Sequence, residues 1–162
     1  MKITVIADTH IPKRAKWLPE IVFQSIESSD LVIHAGDFTA YEVLIDLQSL
    51  KPLEGVAGNN DGPEILMQLG KKKIVQYAGF YIGIIHGDGA YGTTIQRVKQ
   101  AFAKDKVDIV IFGHSHQAYQ EWDQGVLYFN PGSPTDKRLS PKYSFGEIWL
   151  GEKIEPKIHY FL

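Results

Sequence analysis

The stretch Lys2-Ile3-Thr4-Val5-Ile6-Ala7-Asp8-Thr9-His10 begins the chain and decides how the rest of it is interpreted. Its first part is a short apolar run, and its second part supplies a carboxylate and an imidazole two positions apart. A run of this length and composition is typical of a buried strand. Ligands bind at the carboxyl ends of the strands in open α/β sheets. The stretch therefore predicts a strand that delivers Asp8 and His10 to a site.

Four more apolar runs end in the same way, with side chains of the metal-ligand type at the predicted strand end. These are His34 and Asp37 after Leu31–Ile33, Asn59, Asn60 and Asp61 after Leu53–Ala57, His86 and Asp88 after Tyr81–Ile85, and His114 and His116 after Val107–Phe112. One Asp or His after a strand is more often a turn or packing residue. Five such runs in register are not explained by chance, so we predict one convergent cluster.

The residue types in this cluster predict a metal site. The chain contains no Cys, so any site must use imidazole, carboxylate, amide or backbone donors. Mixed imidazole and oxygen donors suit Mn²⁺, Fe, Co²⁺, Ni²⁺ or Zn²⁺ better than Ca²⁺ or Mg²⁺. The donors outnumber the four that one tetrahedral ion needs. We therefore expect two divalent ions, with Mn²⁺ as the first expectation.

Helices and further strands complete the predicted α/β pattern. A helix from Pro19 should bury Leu18, Ile21, Val22 and Ile26, a second should open with a capping box of Thr39 and Glu42, and a third should bury Ile95, Val98 and Phe102. Strands are also predicted at Lys73–Tyr77, Phe80–Ile85, Tyr119–Trp122, Val126–Asn130, Tyr143–Leu150 and Lys153–Phe161. The antiparallel pattern of the last four follows the βα part without a linker, so we expect one domain over residues 1–162.

Composition limits the partners. The 162 residues carry a formal net charge of −2, which gives no general attraction to long nucleic acid. No apolar run is long enough to cross a bilayer, and the first residues lack a signal-peptide pattern, so a cytoplasmic location is expected. A small phosphate ester fits these limits as a partner, and a homo-oligomer stays open.

Some candidates have a plainer interpretation that we favour. His34 is expected to be a core residue or a support for the ligands. Asp61 could brace a ligand, but capping a helix that begins near Pro63 is the favoured interpretation. Arg14 could contact phosphate, although a solvated loop is the favoured interpretation there.

Five ordered motifs carry a resemblance to a known family. They are Asp8-Thr9-His10, Gly36-Asp37, Gly58-Asn59-Asn60-Asp61, His86-Gly87 and Gly113-His114-Ser115-His116. In this order, and across nearly the whole chain, they resemble the calcineurin-like metallophosphoesterase family. The branch they resemble most is that of the small bacterial and archaeal phosphodiesterases, which share their fold with a retromer scaffold subunit. The string Asn130-Pro131-Gly132-Ser133, with Arg138 after it, resembles a loop of the same branch.

The resemblance implies a role for each matching residue. Asp8, His10 and His116 would hold the first metal, Asn59, His86 and His114 would hold the second, and Asp37 would bridge them. Catalysis would then depend on Asp37, Asn59 and His86. Asn60 and Arg14 are the candidates for contact with the substrate.

The resemblance also implies a fold and an activity. The expected fold is a four-layer αββα sandwich of two mixed β-sheets flanked by helices, in the mixed α/β class. The expected activity is hydrolysis of small phosphate esters, diesters before monoesters, by a hydroxide bound at a dinuclear metal centre. The alternative is a protein-binding scaffold on the same fold with little hydrolysis. Larger members of the family carry His after the ligand Asn, whereas Asn60 stands here, and an amide cannot act as a general acid.

Overall fold

The computed structural model describes all 162 residues and contains ten strands and four helices. In chain order they are β1 (Lys2–Ile6), α1 (Glu20–Glu27), β2 (Leu31–His34), α2 (Tyr41–Leu50), β3 (Leu53–Gly55), α3 (Pro63–Leu69), β4 (Lys72–Tyr77), β5 (Phe80–Ile85), α4 (Thr94–Ala101), β6 (Ile109–Ile111), β7 (Ala118–Asp123), β8 (Val126–Pro131), β9 (Tyr143–Leu150) and β10 (Ile154–Phe161). Every predicted strand is present, with ends that shift by up to two residues. No helix is long and apolar enough to span a membrane.

The strands form two mixed five-stranded sheets. The first has the order β10-β9-β1-β2-β3, and the second has the order β4-β5-β6-β8-β7. Parallel pairing joins β1 to β2 and β2 to β3 in the first sheet, and β5 to β6 and β6 to β8 in the second. The four strands of the C-terminal part are shared between the sheets, because β7 and β8 extend the second sheet while β9 and β10 extend the first.

Alternation along the strands explains the layers. Ile3 and Val5 face the second sheet, whereas Ile6 faces the helices on the other side of the first sheet. The core between the sheets contains residues of β1, β2, β5, β6, β8 and β9. Helices α1, α2 and α3 cover the outer face of the first sheet, and α4 covers Val110 and Phe112 on the outer face of the second. The predicted four-layer αββα sandwich is confirmed.

Two helix predictions were wrong in detail. Helix α2 begins at Tyr41 after Ala40, without a side-chain cap, because the backbone of Thr39 has a positive φ of 83° and its N–H is bound elsewhere. The capping box occurs instead at α4, where Thr93 and Gln96 satisfy each other's backbone N–H groups. In α1, Ile21 was predicted to be buried but is 42% exposed. Ser25 is buried in its place.

Candidate metal centre

The predicted site residues lie in turns that directly follow β1, β2, β3, β5 and β6. In five of them the backbone adopts the left-handed conformation: Asp8 (φ 54°), His10 (45°), Asp37 (61°), His114 (69°) and His116 (60°). Asp and His tolerate this region better than most residues, and such strained positions cluster at functional sites. In an extended strand, two residues separated by one position point to the same face but stay roughly 6.6 Å apart. The left-handed turn lets their side chains converge on one point.

The first group of possible metal ligands is Asp8, His10 and His116. Their ligand atoms lie within 4.8 Å of one another, and all three residues are buried. The Nε2 atom of His116 lies 3.6 Å from Oδ1 of Asp8, and the two imidazole rings stack with centroids 5.1 Å apart. The structure thus brings together the three residues that the family resemblance assigns to a first metal.

The second group is Asp8, Asp37 and His86, again buried and within 4.8 Å. Oδ2 of Asp37 lies 3.4 Å from Nε2 of His10 and 3.3 Å from Nε2 of His86, so this one oxygen stands between the two groups. Oδ1 of Asp8 lies 3.8 Å from Nε2 of His86. Two carboxylates are therefore positioned between the histidines of the two groups, where the sequence analysis expects Asp37 alone.

Five buried polar atoms in the two groups have no hydrogen-bond partner: both carboxylate oxygens of Asp8 and the Nε2 atoms of His10, His86 and His116. An unsatisfied buried polar atom costs about 1–3 kcal/mol, and folded proteins rarely leave several side by side. The five atoms face one another, and each can donate a lone pair to a metal once it carries no proton. The residues fit a metal centre, because divalent ions would satisfy all five atoms at once.

The other ring nitrogen of each buried histidine is already fixed. Nδ1 of His86 is 2.8 Å from the carbonyl oxygen of Ala35, Nδ1 of His116 contacts the carbonyl oxygen of Asp136, and Nδ1 of His10 is 3.4 Å from the hydroxyl of Thr39. A histidine that donates from Nδ1 to a carbonyl presents its Nε2 lone pair for a metal. Nothing in the sequence marks Ala35 or Asp136 as a partner of these histidines, because every residue has a backbone carbonyl.

Asp61 braces the turns that carry the ligands, so the cap interpretation favoured from the sequence was wrong. Its carboxylate accepts N–H bonds from Asp37 at 2.9 Å, Thr39 at 2.8 Å and Gly58 at 2.7 Å. Helix α3 has Gly62 at its N-cap and no side-chain cap. Asp61 therefore ties the turn after β2 to the turn after β3.

Close backbone approach explains one glycine of the motifs. A Cβ atom on Gly58 would collide with the carboxylate and the backbone nitrogen of Asp37. Any side chain at this position would displace the carboxylate that lies between the two groups.

The remaining candidates lie around this buried centre. His114 packs edge-on against His86 with ring centroids 5.2 Å apart and is half-buried, whereas Asn59 is exposed and its amide makes no hydrogen bond. Asn60 donates its N–H to Oδ1 and its amide to Oδ2 of Asp37, both at 2.9 Å. Nε of Arg14 pairs with Oδ2 of Asp136 at 3.3 Å, and its side chain is 56% exposed.

His34 supports the site from the core, as expected. Its Nδ1 accepts the N–H of Gly36 at 3.1 Å, and its Nε2 lies 3.0 Å from the hydroxyl of Thr9. The ring stacks on Phe38 with centroids 3.6 Å apart. Burial lowers the pKa of His34 to about 3, so the ring is neutral and can accept the glycine N–H.

A loop after β8 fixes the first motif, and sequence analysis assigned it no contacts. Ser133 donates its hydroxyl to the carbonyl oxygen of Asp8 at 2.8 Å, and Thr135 donates to the carbonyl oxygen of Thr9 at 2.5 Å. The amide of Asn130, near the end of β8, donates to the carbonyl oxygen of Gly113 and the hydroxyl of Ser115, both at 3.0 Å. The end of β8 and the loop after it thus connect the turn after β1 to the turn after β6.

Burial and charge shift the pKa values of the ligands in opposite directions. Burial raises the pKa of Asp8 to about 7, although His86 opposes the shift. Burial alone would raise the pKa of Asp37, yet its contacts with His86 and Asn60 outweigh burial and lower it. Burial likewise opposes the charged form of His86, but Asp37 and Asp8 raise the pKa of His86 to about 9. Burial lowers the pKa of His116 to about 4. Among the ligand histidines, His86 alone has a raised pKa, because it lies against both carboxylates.

Comparison with known proteins agrees with this geometry. Residues 1–150 match the calcineurin-like phosphoesterase superfamily domain. A probable metallophosphoesterase of Methanothermobacter thermautotrophicus is 34% identical over 158 residues, which cover 98% of this chain and 91% of that protein.

Solved structures give the same result for the fold. A novel archaeal phosphodiesterase has a TM-score of 0.76 at 25% identity, covering 99% of this chain and 100% of that one. Vps29 of Entamoeba histolytica in complex with zinc has a TM-score of 0.75 at 21% identity, covering 99% of each chain, and shows likeness of fold alone. Because this domain matches residues 1–150, the chain belongs to the calcineurin-like phosphoesterase superfamily.

Proposed function

We propose that this protein is a metal-dependent phosphodiesterase that hydrolyses small phosphate esters with two divalent ions. Mn²⁺ is the ion expected first. The observation that supports it most is the set of five unpartnered buried atoms on Asp8, His10, His86 and His116. Ni²⁺, Co²⁺, Fe and Zn²⁺ fit the same imidazole and carboxylate donors. A cytoplasmic location stays a prediction from the sequence.

Each side chain has a proposed part in holding the ions. Asp8, His10 and His116 would bind the first, while Asn59, His86 and His114 would bind the second, with Asp37 shared between them. When bound, two such ions lower the pKa of water and neutralise charge on the phosphoryl oxygens. The geometry around Asp8 adds to this scheme, because its Oδ1 lies within 3.8 Å of Nε2 on both His86 and His116.

The side chains beside Asp37 determine which group can protonate the leaving oxygen. In the net reaction, the water oxygen bonds to phosphorus, one ester P–O bond breaks, and the alcohol leaves with a proton from water. Asn60, which is bound to Asp37 through two hydrogen bonds, offers no acid to the leaving oxygen. Leaving groups that are stable as anions should therefore react fastest.

The scaffold alternative predicts a different residue pattern. A chain that no longer performs chemistry has no need to keep a complete ligand set, yet all seven predicted ligands are present and five of them are buried in two clusters. The Vps29 likeness is too low in identity to favour a scaffold over an enzyme.

The test combines metal stoichiometry with the bridging carboxylate. Chelator-treated protein titrated with Mn²⁺ should bind two equivalents by calorimetry, and the loaded protein should hydrolyse bis(p-nitrophenyl) phosphate faster than p-nitrophenyl phosphate. Asp37→Asn should lose the hydrolysis but keep the far-UV circular dichroism spectrum of the parent. Asp46→Asn, which changes an exposed residue of α2, should keep both the hydrolysis and the spectrum. One equivalent or none in folded protein, or an active Asp37→Asn, would contradict the proposal.

A further inference from the structure

The backbone of Asp136, in the loop after β8, reaches two residues of the first metal group. Its carbonyl oxygen contacts Nδ1 of His116. Its N–H donates to the hydroxyl of Ser133 at 2.8 Å, and that hydroxyl donates to the carbonyl oxygen of Asp8, also at 2.8 Å. Both connections use backbone groups of Asp136, so they do not depend on its side chain.

The carboxylate of Asp136 reaches the third residue of the group, His10, through Arg14. Oδ2 of Asp136 lies 3.3 Å from Nε of Arg14, and the backbone N–H of Arg14 donates to the carbonyl oxygen of His10 at 2.8 Å. The same Oδ2 lies 3.9 Å from Nδ1 of His116. The ion pair of Arg14 and Asp136 therefore joins the segment that carries His10 to the loop that holds His116.

His10 is the ligand whose ring is held least by its own contacts. Nδ1 of His86 and of His116 each contact a backbone carbonyl oxygen, whereas Nδ1 of His10 has the hydroxyl of Thr39 at the long distance of 3.4 Å. The backbone of His10 has a φ of 45°, a conformation that persists only where neighbouring contacts hold it. The direction of its ring therefore depends on contacts such as that of Arg14.

The electrostatics of the pair also distinguish Arg14 from the other arginine near the site. The side chain of Asp136 is only 11% exposed and neutralises Arg14, whereas Arg138 has no carboxylate within 4 Å. Burial lowers the pKa values of His10 and His116, and the negative charge of Asp136 opposes that shift in both. A negative charge beside both rings also favours a cation bound between them.

We propose that the ion pair of Arg14 and Asp136 positions His10 and His116 for the first metal ion, so that Arg14 is a positioning residue and not a substrate contact. The inference rests on the proposed function, because it concerns the binding of one of the two proposed ions. Side chains that orient metal ligands change affinity or activity by about 10–100-fold. An exposed ion pair, by contrast, contributes little to the stability of a fold.

The first test is a stepwise calorimetric titration of chelator-treated protein with Mn²⁺. The step that belongs to the first group is the one that His116→Ala weakens. Asp136→Asn keeps the backbone contacts and should weaken that step by about tenfold, while the other step stays unchanged. Arg14→Gln should have the same effect, and Arg14→Lys, which keeps the charge, should restore the affinity. Asp46→Asn, the same change at an exposed residue of α2, should alter neither step.

The sign of the Arg14→Gln effect separates positioning from simple charge. If Arg14 acted through its charge alone, its loss would strengthen the binding of a cation, because like charges repel. A weaker step therefore requires that Arg14 acts through the position of the ligands. Arg138→Gln, which removes an arginine without a carboxylate partner, should not weaken the step.

A double variant tests whether the two residues act as a pair. Arg14→Gln with Asp136→Asn should lose no more affinity than the larger single loss, because both changes remove the same contact. Losses that multiply would show that the residues act separately and would overturn the inference. In the presence of a chelator, the unfolding temperature of each single variant should fall by less than about 4 °C. A larger fall would show that the pair holds the fold as a whole, which would also overturn the inference.

The last measurement compares metal binding with substrate binding. At saturating Mn²⁺, Arg14→Gln should keep the KM of the parent for bis(p-nitrophenyl) phosphate. A raised KM together with normal Mn²⁺ affinity would make Arg14 a substrate contact and overturn the inference. If the folded parent binds no Mn²⁺, the proposed function fails and the inference fails with it. If the parent binds two equivalents and Arg14→Gln binds them equally tightly, only the inference fails.

Discussion

The two halves of the metal centre differ in burial. In the first half, Asp8, His10 and His116 are 0%, 6% and 2% exposed. In the second half, His86 and Asp37 are equally buried, but His114 is half-buried and Asn59 is exposed. Buried donors have already lost their water, so a metal ion that binds them has less solvation to replace. The difference teaches that the donors of the first half are already shielded from water, whereas two of the proposed ligands in the second half remain in contact with solvent.

The largest effect should come from Asp8, which belongs to both halves. Asp8→Asn should lose both metal equivalents and reduce hydrolysis by more than about 10³-fold, because even residues one contact away from a metal change affinity or activity by about 10–100-fold. Calorimetry and a phosphodiester assay measure the two losses. Retention of either metal at normal affinity would show that Asp8 is not shared.

The same variant should behave differently without metal. The folded pKa of Asp8, about 7, exceeds the ordinary value of 3.8, so this carboxylate makes the metal-free fold less stable as the pH rises from about 4 to 7. Asp8→Asn removes that loss. With a chelator present, the variant should therefore unfold at a higher temperature than the parent at pH 8, and an equal or lower unfolding temperature would contradict the burial argument.

Separate substitutions should dissect the two halves. His116→Ala should weaken the tighter Mn²⁺ step by about 10²-fold, whereas His114→Ala should affect mainly the weaker step, because its imidazole is already in contact with solvent. Stepwise calorimetric titration resolves the two steps. If His114→Ala removed the tighter step, the comparison between a preformed half and an open half would be reversed.

Asp61 should matter through the turns that it joins. Asp61→Asn keeps one acceptor oxygen but puts amide hydrogens against at least one of the three backbone N–H groups that Asp61 binds, so we expect a loss of about 1–3 kcal/mol in the free energy of unfolding. Metal affinity should fall by about 10–100-fold, as is typical for side chains that orient ligands. Chemical denaturation and Mn²⁺ titration provide the measurements, with Asp46→Asn as the control. A variant with lowered stability and normal metal affinity would limit Asp61 to folding.

The smallest effect is expected at Asn60, on the open side of Asp37. The parent enzyme should hydrolyse nitrophenyl diesters far faster than alkyl diesters. Asn60→His should speed alkyl diesters by about tenfold, toward the lower range of general acid catalysis, and leave nitrophenyl diesters nearly unchanged. The comparison uses kcat/KM for both ester types in both proteins at saturating metal. A parent enzyme that already treats them alike must obtain the proton elsewhere.

Short-range patterns predicted the strands and the ligand-type residues, whereas the four-layer sandwich was implied by the family resemblance. Apolar runs of strand length, each followed by Asp, Asn or His, are visible without any tertiary information, as in Ile3–His10. Helix starts were less reliable. Thr39 and Glu42 have capping-box spacing, but the N–H of Thr39 binds Asp61, which is 22 residues away. A long-range hydrogen bond overrode the local signal.

The sequence by itself determined which residues could form the centre, because residue type and spacing along the chain suffice for that. Only the tertiary structure decided how these residues are shared and held. It placed Asp8 beside both His86 and His116, set Asp61 across two turns, and joined the loop at Ser133 to the backbone of Asp8 across 125 positions. Contacts between distant segments depend on how the two sheets pack, and backbone carbonyls such as that of Ala35 carry no mark in the sequence.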